Sequence, residues 1–181
     1  MNQLDLSVFE LKYGIQVRLV EEEDAEFIVK LRTDPQLSRF LHATDDSIEK
    51  QKDWIREYKK REKSGTDFYF LYAKDGVAFG VNRISDILSD RATGGSWICQ
   101  KELSVELPVF SLIIQREIIF DQLRLDFDYF DVRKQNKKVI KTQLMFGSEQ
   151  IDEDDLNYYY VLQKEKFYKK RDYVLKLLGY N

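Results

Sequence analysis

Ile15, Val17 and Leu19 alternate with Gln16 and Arg18, a period of two that predicts a first strand. The run Glu21-Glu22-Glu23-Asp24 follows, and Ala25, Ile28 and Leu31 then recur at helical spacing. Acids in a first turn complement the helix dipole, so this run reads as a helix start rather than a cation site. Pro35 ends the helix, because the residue before a proline is pushed out of the α region. Asp46 and Glu49 resemble a capping box, and Ile48, Ile55 and Tyr58 mark one face of a second helix reaching about Lys63. Two strand-like runs, 67–74 and 77–84, flank Asp75-Gly76, a strong hairpin signal. Residues 86–94 read as a polar loop, and 1–13 as a lead-in without a clear period.

In the centre, Gly95-Ser96-Trp97-Ile98-Cys99 predicts a strand, 100–107 a loop, and Pro108 the opening of a helix. Proline is pre-organised for a first helical position, and the loop before it would aim free N–H groups outward as a generic anion site. A strand over 125–132 and a helix over 134–146 follow. Residues 148–151 and 156–163 read as a second hairpin around Asp152-Glu153-Asp154-Asp155, a solvated tip rather than a cation site. A helix over 164–178 closes the chain, with Phe167, Arg171, Val174 and Leu178 on one stripe. Hairpins outside and β-α-β crossovers within imply an α/β (α+β) fold. Its sheet is mixed, mostly antiparallel and seven-stranded, with helices on both faces.

The 181 residues suit one domain, with 43% hydrophobic and 34% charged residues, an ordinary globular balance. A formal net charge of −3 argues against nucleic acid or an acidic membrane surface as partner. One cysteine and one histidine exclude an intramolecular disulfide and a Cys/His metal cluster, so no metal is expected. The N-terminus is polar, and the longest apolar stretch, 107–120, is broken by Ser111, Gln115, Arg116 and Glu117. The expected setting is reduced and cytoplasmic. His42 sits in a loop after Phe40-Leu41; its ordinary pKa suits a general base, but it reads first as a loop residue contacting substrate or nothing. Cys99 reads as a buried strand cysteine rather than a nucleophile, since no histidine or helix N-terminus stands beside it to activate it.

Asn136, then Val139 and Ile140, then Gly147 eleven residues after the asparagine, resembles a pattern of the GNAT superfamily of acyl-CoA-dependent N-acetyltransferases. The element order is similar to that fold over residues 13–165. Further stretches resemble the branch holding ribosomal-protein and amino-sugar (sugar-nucleotide) acetyltransferases. They are Val17-Arg18-Leu19-Val20 with Glu23-Asp24-Ala25, Leu31-Arg32-x-Asp34-Pro35, Gln51-x-x-Trp54-Ile55 and Gly95-Ser96-Trp97-Ile98. The resemblance implies a sheet splayed between its fourth and fifth strands, acetyl-CoA as cosubstrate and transfer to a small-molecule amine. A homodimer stays open.

The cofactor set it implies is Ile98, Cys99, Val105, Leu107, Val109, Phe110, Asn136 and Gln143. Arg32, Phe40, His42 and Trp97 form the acceptor set, although Trp97 reads first as a core residue. Asp86 or Glu102 stands nearest the expected cleft as base, and Tyr159, in the run Tyr158-Tyr159-Tyr160, as acid. Two departures stand out. The cofactor loop 102–109 has no glycine and two acids, where the family usually carries Gln/Arg-x-x-Gly-x-Gly/Ala. Gln143 occupies the place where many members carry a tyrosine that protonates the leaving thiolate. Two readings therefore stand: an active N-acetyltransferase, and a catalytically weakened relative that binds through the same cleft.

Overall fold

The computed structural model describes residues 4–41 and 45–180. Its strands are β1 (Gln16–Leu19), β2 (Phe68–Lys74), β3 (Val77–Ser85), β4 (Arg91–Cys99), β5 (Phe127–Arg133), β6 (Glu149–Glu153) and β7 (Asn157–Gln163). They form one sheet in the order β1-β2-β3-β4-β5-β7-β6. The helices are α1 (Ala25–Thr33), α2 (Ile48–Lys63), α3 (Glu106–Glu117), α4 (Lys137–Met145) and α5 (Lys164–Leu177). Only β4 and β5 pair in parallel, since α3 carries the chain across between them; the other neighbours are antiparallel.

Alternation on β2 shows why the sheet is covered twice. Phe68, Phe70 and Tyr72 enter one core with α3 and α5, while Tyr69 and Leu71 enter a second with α1 and α2. A strand buried on both faces needs apolar residues at every position, and 68–72 has them. Burying one such side chain contributes about 1.5–3 kcal/mol. The hairpin between β2 and β3 turns at Asp75-Gly76, both at positive φ, as a two-residue turn of this twist demands.

Several expected boundaries move. β4 begins at Arg91 rather than Gly95, because Arg91–Thr93 pair with Phe127–Tyr129 and Thr93 also pairs with Ser85. Only Ala92 of that short segment is buried, too small a side chain to mark a strand in sequence. α3 begins at Glu106, which leaves Pro108 in the first turn, where an N–H would have no helical partner in any case. α4 begins after Asn136 rather than at Lys134.

The lead-in also has a structure that periodicity does not reveal. Phe9 and Tyr13 are buried within 3-10 turns, where neither period applies. The Tyr13 hydroxyl donates to Glu117 at 2.7 Å, and Lys12 and Arg171 each approach the same buried carboxylate at 2.9 Å. Both ends of the chain are thereby fastened to the C-terminal turn of α3.

Candidate active site

The β4–β5 ladder spans Arg91–Thr93 against Phe127–Tyr129. The residues that follow on each strand, Gly94 to Trp97 and Phe130 to Arg133, line a cleft of about 190 Å³. Arg32, Leu37, Phe40 and Leu41 bound it from α1 and the connection toward α2. Leu112, Gln115 and Arg116 of α3, with Asn136, Val139 and Gln143 at α4, bound it from the other face of the sheet.

β4 is irregular where it enters the cleft. Ser96 and Trp97 together stand opposite Asn82, and Ser96 takes φ 51°, a left-handed conformation that costs energy outside glycine. Such a bulge re-aims a strand locally. It is braced from behind: Trp97 Nε1 donates to Ser111 Oγ at 3.1 Å, and Asn82 Nδ2 donates to the Ser111 carbonyl at 3.3 Å. Asn82 in turn accepts from the Tyr72 hydroxyl at 3.0 Å.

Charge is buried beside the bulge. Asp128 accepts from the Gly94 N–H at 3.1 Å and from Arg116 Nε at 3.3 Å. Arg116 Nη2 donates to Gln143, and the guanidinium lies 5.5 Å from the Phe130 ring and 4.9 Å from that of Phe146. Both charged side chains are almost wholly out of solvent. Burial outweighs the opposite charge for each, raising the Asp128 carboxyl and lowering the Arg116 guanidinium from their ordinary values.

Of the residues expected from sequence, Arg32, Phe40, Trp97, Asn136 and Gln143 line this cleft together. His42 lies outside the described residues. Ile98 is buried in the core against α1 and α2. Burial pushes the Cys99 thiol up to about 12, as suits a strand cysteine and not a nucleophile. Val105 stands exposed ahead of α3, Leu107 and Val109 pack on the core, and Phe110 stacks on Tyr13 at 5.3 Å. Asp86, Glu102 and Tyr159 are not brought to the cleft. Asp86 is exposed and accepts from Ser85, Glu102 is exposed in the loop after β4, and Tyr159 donates to Asp154 on the β6–β7 hairpin. The carboxylates that do line the cleft are Asp128 and Asp131.

No family model matches this sequence, and no curated protein matches it. Solved structures do. The chain is 34% identical to the apo form of FdhC, a nucleotide-linked sugar GNAT, with a TM-score of 0.80 over 89% of this chain and 93% of that one. It superposes on the N-acetyltransferase PseH of Campylobacter jejuni in complex with acetyl coenzyme A with a TM-score of 0.66. That match is 20% identical and covers 83% of this chain and 99% of PseH. RimJ of Mycobacterium smegmatis in complex with CoA-disulfide gives 0.76 at 15% identity, over 91% of this chain and 89% of RimJ. The fold and cleft thus have an acetyltransferase architecture. The chain belongs to the GNAT family of acetyltransferases.

Proposed function

We propose that this enzyme transfers an acetyl group from acetyl-CoA to a primary amine on a nucleotide-linked sugar. One observation carries the reading: the cleft between β4 and β5 is bounded from both faces of the sheet. Cofactor and acceptor can then meet inside it from opposite ends. The likeness to FdhC supports the acceptor class, and that to PseH bound to acetyl coenzyme A supports the cosubstrate.

In this reading the acetyl-CoA arm lies along α4 from Asn136 and its pyrophosphate meets the first turn of α3. That turn has no side-chain cap at Val105, and a helix N-terminus favours an anion. The strands part beyond Thr93 and Tyr129 to admit the thioester, and the N–H groups of the β4 bulge polarise its carbonyl. The amine enters beside Arg32 and Phe40. Asp131 takes its proton, for alternation on β5 sends Asp128, Phe130 and Val132 toward α3 and Asp131 toward the acceptor face. Holding amine and thioester at attack distance contributes much of the rate. The setting we infer is cytoplasmic, in line with the single free cysteine and with the absence of any helix, among the described residues, long and apolar enough to cross a membrane.

The test is mass spectrometry of the purified protein with acetyl-CoA and a panel of amines: nucleotide-linked amino sugars, spermidine and an alanine-initiated peptide. Acetylation of an amino sugar nucleotide ahead of the others is expected. Acetylation of the peptide alone would replace the acceptor, and tight acetyl-CoA binding without transfer to any amine would favour the weakened relative.

A further inference from the structure

Arg116 is buried and held from two sides, yet it is not fully paired. Nε reaches Asp128 and Nη2 reaches Gln143, while Nη1 is buried with no partner among the described residues. A desolvated donor left bare is costly, and a buried ion pair is seldom worth keeping for stability alone. Apolar side chains of similar volume would fill the space between Phe130 and Phe146 with less conflict. The guanidinium therefore has an acceptor that comes and goes with the reaction. Guanidinium only donates and stays protonated, so it holds best an acceptor that is negative or becomes so.

Position selects which group it is. Arg116 on α3 and Gln143 on α4 line the cleft from the face of the sheet opposite to Arg32 and Phe40. The amine arrives from one end, and the sulfur, tethered to the cofactor arm, leaves by the other. Resting on that reading of the two ends, the geometry points to Arg116 Nη1 as the donor that holds the coenzyme A sulfur as it becomes a thiolate. The amine lone pair forms the C–N bond, the C–S bond breaks, and its electron pair stays on sulfur. The proton lost by the amine passes to Asp131 and on to water. Arg116 keeps every proton, and the thiolate takes one from water on release. Gln143 is then no acid but a positioning residue, which with Asp128 fixes the plane of the fork from two sides.

Calorimetry of the intact protein with coenzyme A and with desulfo-coenzyme A, over about pH 6.5 to about pH 9.5, tests this without any variant. Coenzyme A affinity is expected to rise about tenfold across that range, the equivalent of a one-unit fall in the bound thiol's pKa. Desulfo-coenzyme A meets the same Arg32, Asp128, Asp131 and Arg133, so their titration cancels in the comparison. Arg116→Lys should abolish the rise and lower kcat by about 10²-fold, the scale of one lost transition-state donor, with the KM for amine little changed. Parallel pH profiles for the two ligands would make Arg116 a structural strut while leaving the acetyltransferase intact. Failure of acetyl-CoA and both analogues to bind would overturn the role of Arg116 and the proposed function together.

Discussion

The N–H of Gly94 donates to Oδ1 of Asp128 at 3.1 Å, and a Cβ added at Gly94 would fall 2.6 Å from that same oxygen. Asp128 cannot swing aside, because Arg116 holds its other oxygen in a dry site. Gly94→Ala should therefore cost about 1–3 kcal/mol, as overpacking of a filled core does. Gly95→Ala, whose Cβ meets nothing within 4 Å, should cost far less. Urea unfolding of the two variants side by side decides it. Equal losses would mean the Asp128 carboxylate is freer than its contacts show.

Asn136 caps α4, its side-chain oxygen accepting from the Val139 N–H at 3.3 Å. Asn136→Ala should lower stability by about 0.5–2 kcal/mol through the lost cap. If the residue also meets the cofactor arm, acetyl-CoA affinity will fall further than that loss accounts for. A variant that melts lower yet binds acetyl-CoA as wild type does would reduce Asn136 to a cap.

Glu106 sits in the first turn of α3, where the Ser104 hydroxyl and its own backbone N–H hold its carboxyl below the usual range. It is charged at neutral pH beside the proposed pyrophosphate. Glu106→Gln should tighten acetyl-CoA binding, and added salt should shrink the gain. Identical titrations of the two proteins at low and high salt would show that the side chain faces away.

Lys101 Nζ lies 2.7 Å from Asp34, joining the loop after β4 to the end of α1. This ammonium, followed by the Gln36 N–H, holds the Asp34 carboxyl below its ordinary value. The unfolded chain then binds the proton more readily. The contribution is complete above the unfolded pKa of about 3.9 and is lost as pH falls through the lower folded value. Asp34→Asn should give a shallower acid limb in melting temperature below about pH 4, by a modest margin for so exposed a pair. Superimposable acid limbs would show the bridge to be without effect.

The parts of the site that were legible in the sequence are those whose chemistry is local. Asn136 and Gly147 bracket α4 because a cap and a helix end depend only on neighbours a turn away, and the Gly147 N–H indeed closes on the Leu144 carbonyl at 3.0 Å. Arg32, Phe40 and Trp97 reached the cleft through the resemblance, and periodicity alone would not have selected them. Arg116 and Asp128 were missed for a physical reason. Four polar residues interrupt the apolar run of α3, which in sequence looks like a helix wetted on one side. In the fold 110–120 is buried without a break, so each of those residues needs a partner from another element. The bulge at Ser96 left no trace either, since nothing in a Ser-Trp pair requires a positive φ.

Glu117 draws Tyr13 from 104 residues upstream and Arg171 from 54 residues downstream. Contacts of such separation are made late, after most of the loop-closure entropy has been spent. A chain still lacking α5 would have to seat α3 with that carboxylate held by Lys12 and Tyr13 alone, without its guanidinium partner. The central helix of the site therefore gains its full set of contacts only when the last helix is available. Maturation of the cleft is tied to completion of the chain rather than to the β-α-β unit that contains it.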